Sequence, residues 1–195
     1  PDVVAPGHQL VADTNPLATL FQTLTTKRRT STNGQDFLEL SGASMATAVT
    51  TGVVADVIDA HNRAGYANAT PLTPNVVKAI LQYSAIPMAD TDYLTAGTGE
   101  ISAGGAFELA KSIDTSAATA SWWLRTAVSS STLISGKSYP WASAVIWGEQ
   151  VLSGTLVFYD LPVWGSNIVW GTNIVWGTNI VWGTTVNGTS TKTAS

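Results

Sequence analysis

Residues 41–52 read Ser-Gly-Ala-Ser-Met-Ala-Thr-Ala-Val-Thr-Thr-Gly, and the fold is decided by this stretch. From Ser44 to about Ala60, apolar and small residues recur at helical spacing, and polar residues follow at the far end. The pattern predicts a closely packed, buried helix with Ser44 at its amino end. The first N–H groups of a helix have no intrahelical partner and lie at the positive end of its dipole, so they favour negative charge there.

Ser44 has two interpretations on this evidence. Serine is a favoured residue at the start of a helix, where its side chain caps the free N–H groups. Serine is also a nucleophile when a base removes its proton and nearby donors stabilise the oxyanion. The α/β-hydrolase elbow, Gly-x-Ser-x-Gly, is excluded because residue 46 is alanine. Residues 41–52 alone therefore leave a cap and a nucleophile open.

The regions on either side carry their own local signals. Residues 1–7 predict a short apolar strand closed by a Pro-Gly turn, and residues 25–35 predict a solvated loop. The remaining predicted elements are a helix from Pro74 to about Ser84 capped by Thr73, a turn at Gly97–Gly99, a helix from Ala103 to Ile113, and a linker at residues 114–121.

Four segments resemble motifs of the subtilisin-like serine proteases, the peptidase S8 family, and they occur in the family's order. These segments are Pro1–Gly7, similar to the strand Pro-Asp-Val-x-Ala-Pro-Gly; Ser41–Gly52, similar to the nucleophile motif Gly-Thr-Ser-Met-Ala; Leu72–Lys78; and Gly97–Ala103. The resemblance covers about residues 1–113. It implies an α/β fold, the carboxy-terminal portion of a subtilisin-like three-layer architecture with a parallel sheet.

The same resemblance implies a serine endopeptidase that forms an acyl-enzyme on Ser44, with the backbone N–H of Ser44 as one oxyanion donor. Ala43, Ala48 and Val49 stand where the family motif usually has threonine, proline and a non-catalytic histidine. In the family, the catalytic aspartate, the catalytic histidine and the oxyanion asparagine precede the Pro-Asp-Val strand. We therefore expect this chain to be a fragment that is inactive by itself, because a serine without its base loses most of its activation.

Partners and location follow partly from the resemblance and partly from composition. The resemblance implies a protein or peptide substrate, a secreted bacterial protein, and no cofactor in this segment, with calcium as a candidate ligand of the intact family fold. The formal charge is −4 and 11% of residues are charged, which argues against a nucleic-acid partner. The absence of cysteine excludes disulfides and thiolate metal sites. Because no apolar run approaches the ~20 residues of a membrane helix, we expect no membrane span.

Several other polar residues are candidates for chemistry, and each has a simpler interpretation. His8 follows the Pro-Gly turn, but its place in the chain order is wrong for the family's base, so a surface role is predicted. His61, near the carboxy end of the Ser44 helix, suits the helix dipole. Residues Lys27–Arg29 predict a solvated charged loop rather than a processing site. Asp56 and Asp59 are predicted to face solvent rather than to form an acid–base pair or a metal site.

Residues 122–195 form a β-prone tail with a tandem repeat. Asn-Ile-Val-Trp-Gly-Thr occurs at 167–172, 173–178 and 179–184, and degenerate relatives lie at residues 145–148 and 163–165. The tryptophans are predicted either to pack in a core, or on the protease, or to form a platform for a cell surface or polysaccharide. This tail supports our second functional hypothesis, a non-catalytic binding or surface-display module built on the Trp-Gly repeat.

Overall fold

The computed structural model describes residues 1–148 and 150–165, and the three intact repeats at 167–184 lie outside the described residues. Helices and short strands alternate up to residue 112, and two hairpins follow between residues 131 and 153. The elements are β1 (Leu10–Asp13), α1 (Thr19–Thr23), β2 (Arg28–Thr30), β3 (Asp36–Leu40), α2 (Ala43–Ala64), α3 (Pro74–Tyr83), α4 (Tyr93–Ala96), α5 (Ala103–Ser112), β4 (Ser131–Ile134), β5 (Lys137–Pro140), β6 (Ala144–Trp147), β7 (Gln150–Ser153) and α6 (Pro162–Gly165).

The strands of residues 1–148 and 150–165 form three small antiparallel sheets. Their orders are β1-β3-β2, β4-β5 and β6-β7. This mixture of helices and small sheets is consistent with the α/β class. Within the described residues, parallel pairing occurs at the isolated bridge between Val4 and Glu100. The parallel three-layer sheet implied by the family resemblance therefore stays a prediction.

The basic segment at residues 25–35 is more ordered than the predicted loop. Its middle forms β2, which pairs with β3 in the register Arg29 to Phe37. The acidic partner comes from β3, where Glu39 accepts from Arg29 at 2.5 Å and from Lys27 at 3.4 Å. These ion pairs give the positive charges of Lys27 and Arg29 an acidic partner within the chain, without any ligand.

The core is centred on α3, which is buried on nearly all sides. Thr73 caps this helix by accepting the N–H of Val76, as predicted from the Thr-Pro start. α3 packs on α5 and on the segment that follows residue 121. Buried tryptophans Trp123, Trp141 and Trp164 belong to this core. The Trp-rich segment up to residue 165 is therefore part of the same hydrophobic core as α3 and α5.

The tryptophans of the segment after residue 121 are held by specific contacts. The Trp141 indole donates to Thr132 Oγ1 at 2.7 Å and lies against Gly105 of α5, where a Cβ would approach Trp141 Nε1 to 2.8 Å. The ring centroids of Trp147 and Trp164 lie 5.8 Å apart in edge contact. Trp147 and Trp164 belong to the two degenerate repeat units at 145–148 and 163–165. These two units therefore pack against each other through their tryptophans.

The 22-residue helix α2 is unevenly covered. Its buried residues, Val53, Val57, Ala60 and His61, begin at Val53, and none lies among residues 43–52. Gly65 ends the helix in the left-handed conformation, with φ of 68°. By length and composition alone, α2 is the one helix among the described residues that could cross a membrane, which is weak evidence because core helices pass the same test.

The uneven burial of α2 predicts uneven local stability. Amides of residues 47–52 are expected to exchange with solvent at least about tenfold faster than amides of α5, because few buried contacts hold the first half of α2 in place. Hydrogen exchange followed by mass spectrometry on the full chain measures this difference. Equal protection of the two segments would contradict it.

Asp114 is a buried carboxylate just after α5. Its side chain is almost fully buried, accepts from Ser116 Oγ at 2.6 Å and accepts from Arg125 Nε at 2.5 Å. Burial alone would raise the pKa of Asp114, but the hydrogen bonds from Ser116 and then the charge of Arg125 outweigh burial and lower the pKa. The ionised form is therefore favoured in the folded chain.

Because folding lowers the pKa of Asp114, the folded chain should lose stability at low pH. The contribution of Asp114 to the free energy of unfolding is fully present above the pKa of an unfolded aspartate, about 3.9. This contribution is lost as pH falls through the lower pKa of the folded state. We expect the urea midpoint to fall between pH 5 and about pH 2, and the Asp114→Asn variant to show a shallower fall. The exposed Asp56→Asn is the matched control, and identical pH profiles for the two variants would contradict the prediction.

Candidate functional site

Ser44 is the second residue of α2, and its side chain is exposed. The cap position belongs to Gly42, which makes no side-chain cap, so Ser44 is not the helix cap. The N–H of Ser44 lies in the first turn, where a helix provides no intrahelical acceptor. An exposed hydroxyl therefore stands beside free N–H groups and the positive end of a long helix dipole.

The turn before Ser44 is packed tightly against the start of the chain. Gly42 N–H donates to the Gly7 carbonyl at 2.7 Å. A Cβ on Gly7 would lie 2.7 Å from the Gly42 oxygen and 3.0 Å from Ala46 Cβ, so this close approach requires glycine. The Pro-Gly turn and the start of α2, which the sequence placed in separate motifs, form one unit.

A second contact involves Ser41, the residue just before Gly42. Ser41 Oγ accepts the backbone N–H of Gln9 at 2.8 Å and lies 3.4 Å from His8 Nδ1. Gln9 adopts a left-handed conformation with φ of 55°, which is uncommon for a residue other than glycine. Neither Ser41 nor Gln9 carries a local sequence signal for this contact, because the two residues lie 32 positions apart in the chain.

Neither histidine of the sequence is placed to activate Ser44. His8 contacts Ser41, and His61 lies about 25 Å from Ser44 along the same helix, given a rise of about 1.5 Å per residue. His61 is buried and its Nε2 lies 3.0 Å from the Thr70 carbonyl oxygen, so its contacts are structural. Within the described residues, Ser44 therefore has no histidine base.

The other residues that the sequence offers as candidates make contacts that do not involve Ser44. Asp56 and Asp59 are both exposed on α2, as predicted, and Asp59 pairs with Arg63 at 2.6 Å. Arg28 donates to the Phe21 carbonyl at 2.6 Å and covers the Phe21 ring. Among residues 1–148 and 150–165, no three acidic or histidine side chains meet as a group that could hold a metal ion. The calcium expectation remains a prediction about the intact family fold.

Comparison with known proteins identifies the family. The model of the Subtilase family, Peptidase_S8, matches residues 1–121. The chain belongs to the subtilase family. The match contains all four segments that carry the sequence resemblance, and it ends before the Trp-rich segment. No curated protein and no solved structure matches the chain.

Membership of the subtilase family gives a serine peptidase at the level of the family. Members of this family act on proteins and are often secreted. The role of Ser44 as nucleophile is a finer statement, and it is taken up as a proposal below. The surface-display hypothesis depends on the repeats at 167–184, which lie outside the described residues, so it stays a prediction.

Proposed function

We propose that this chain forms part of a secreted bacterial subtilase that hydrolyses peptide bonds through an acyl-enzyme on Ser44. The observation that carries the proposal is the exposed Ser44 hydroxyl in the first turn of α2, inside the segment that matches the family. The tight contact of Gly42 with Gly7 supports it, because this contact holds the turn that leads into the exposed Ser44.

The chemistry would proceed in two steps. Ser44 Oγ attacks the carbonyl carbon of the substrate, its proton passes to a histidine base, and the oxyanion accepts a hydrogen bond from the Ser44 N–H. The protonated histidine then donates its proton to the leaving amine, and water hydrolyses the ester. Because the described residues give Ser44 no histidine base, the aspartate and histidine must come from another part of the catalytic unit.

Labelling with a fluorophosphonate tests the proposal directly, since this reagent forms a stable bond only with an activated serine. The full chain is mixed with the amino-terminal part of a subtilase catalytic domain that carries the aspartate and the histidine. Peptide mapping is expected to find the adduct on Ser44. The chain alone should be labelled at least about 100-fold more slowly, since the base contributes most of the activation. An adduct on another residue, or equal labelling of the Ser44→Ala variant, would overturn the proposal.

A further inference from the structure

A pocket of about 250 Å³ lies where the segment after residue 121 meets the region matched by the family. We call it the junction pocket. Its lining includes four threonines of the matched region, Thr70, Thr73, Thr115 and Thr119, together with Asp160 and two tryptophans of the segment that follows. Because the lining needs both parts of the chain, the match to the family does not account for this pocket.

The junction pocket lies far from Ser44. Thr70 follows α2 in the chain, and its carbonyl oxygen lies 3.0 Å from Nε2 of His61. His61 in turn lies about 25 Å from Ser44 along the same helix. A small ligand in this pocket would therefore not touch the proposed nucleophile, so a binding function here goes beyond the proposed function and does not depend on it.

Asp160 is the one charged residue that lines the junction pocket among the described residues. In the same part of the chain, the ion pairs of the basic residues involve other carboxylates, and Asp160 takes part in none of them. Burial raises the pKa of Asp160, and the hydrogen bond that the Thr119 hydroxyl donates offsets this rise only in part. The ionised carboxylate therefore lacks a counter-ion within residues 1–148 and 150–165.

The other side-chain donors of the junction pocket are almost all used. Four of them donate to backbone carbonyls, namely Thr73 to Trp164, Thr115 to Thr70, Trp123 to Val157 and Trp164 to Tyr159, at 2.6, 2.6, 2.7 and 2.9 Å. The hydroxyl that remains belongs to Thr70, which is exposed. The polar side-chain atoms left for a ligand are therefore mainly acceptors, the carboxylate and the lone pairs of the hydroxyls.

We propose that the junction pocket binds the primary ammonium group of an organic cation, a lysine side chain or a free alkylamine, with Asp160 as its counter-ion. An ammonium group has three N–H donors and no acceptor, which matches a lining of acceptors. Its hydrogen bond to a carboxylate is charge-assisted and about twice as strong as a neutral one. The alkyl stem would pack on Leu161 and the tryptophans of the lining, as the stems of lysine side chains pack on apolar surface.

The size of the pocket supports a small ligand group. Pockets for drug-sized ligands begin at about 300 Å³. The junction pocket is smaller, so it suits one functional group and its stem. A neutral sugar hydroxyl would leave the Asp160 carboxylate without a counter-ion, whereas an ammonium group would supply one.

The test compares n-butylammonium with n-butanol, a neutral probe with the same alkyl stem. Each probe is titrated into the full chain in about 0.15 M salt, which screens distant charges. NMR follows the indole N–H signals of Trp123 and Trp164. We expect saturable shifts with n-butylammonium and at least about tenfold weaker binding of n-butanol. This comparison uses the parent chain, so it does not depend on the folding of any variant.

Two matched variants locate the charge that binds the ligand. Asp160→Asn keeps the shape of the side chain and an oxygen that can accept from Thr119, but it removes the charge. This variant should bind n-butylammonium at least about tenfold more weakly and n-butanol as the parent does. Asp56→Asn removes the same charge from an exposed position on α2 and should bind both probes as the parent does. Equal affinities of the parent for the two probes, equal effects of the two variants, or the absence of saturable shifts would overturn the proposal.

A third probe, the peptide acetyl-Gly-Lys-Gly-amide, separates the two sources of the ammonium group. Tighter binding of this peptide than of n-butylammonium would assign the pocket to lysine side chains of a polypeptide, and tighter binding of n-butylammonium would assign it to free amines. Ser44→Ala should bind all three probes with parental affinity. Ligand binding and fluorophosphonate labelling can therefore succeed or fail separately.

Discussion

Replacement of Ser44 by alanine is expected to lower casein hydrolysis by at least about 10⁵-fold in a catalytic unit to which an amino-terminal subtilase segment supplies the aspartate and the histidine. In the proposed mechanism the alanine removes the atom that forms the covalent bond, and the histidine then has no hydroxyl to activate. The loss should appear in kcat, with KM little changed, because the hydroxyl contributes to the transition state far more than to substrate binding.

Thr47→Ala is the matched control for Ser44→Ala. Thr47 lies one turn further along α2, is exposed, and its hydroxyl donates to the Ala43 carbonyl at 2.9 Å. Its removal deletes one hydroxyl from the same helix and leaves the proposed nucleophile in place, so hydrolysis should stay within about twofold of the parent. Hydrolysis by Ser44→Ala at the parental rate would show that another residue is the nucleophile.

Gly97→Ala is expected to destabilise the chain by roughly 3 kcal/mol. Gly97 has φ of 61° and ψ of −137°, a conformation that side chains other than glycine rarely adopt. A Cβ there would also stand 2.2 Å from the Asp2 carbonyl oxygen. The first residues would have to move away, and the hydrogen bond from Thr98 N–H to Asp2 O would be lost. Urea denaturation measures the change.

Gly52→Ala makes the same chemical change with the opposite expected sign. Gly52 lies inside α2 and has open space where a Cβ would stand. Alanine should stabilise the helix by about 0.5–1 kcal/mol, because it restricts the unfolded chain and suits helical backbone. A Gly97→Ala variant as stable as Gly52→Ala would show that the start of the chain is not docked at Gly97.

Helix starts could be predicted from the sequence because their causes are local. Thr73 accepts the Val76 N–H and Ser102 accepts the Gly105 N–H, and each cap lies within three residues of the group it satisfies. The start of α2 has no side-chain cap, and it was predicted instead from the helical spacing of the apolar and small residues that follow Ser44. The predicted and observed helices differ at their ends by a few residues, as is usual where helices fray.

Contacts between distant residues could not be predicted in this way. The Arg29 guanidinium finds Glu39 on the next strand, which converts part of the predicted loop into β2. The tether from Gln9 to Ser41 crosses 32 positions and leaves no local pattern. The parallel sheet remains a prediction, since among the described residues parallel pairing is confined to the isolated bridge between Val4 and Glu100.

The contact between Gly105 and Trp141 has an evolutionary consequence. Gly105 lies inside the region matched by the family, and Trp141 lies beyond its end at residue 121. A side chain at position 105 would collide with the indole, and a smaller residue at position 141 would leave a cavity beside α5. The two positions should therefore covary among descendants of this gene, and the appended segment should be inherited, lost or exchanged only together with a matching helix α5.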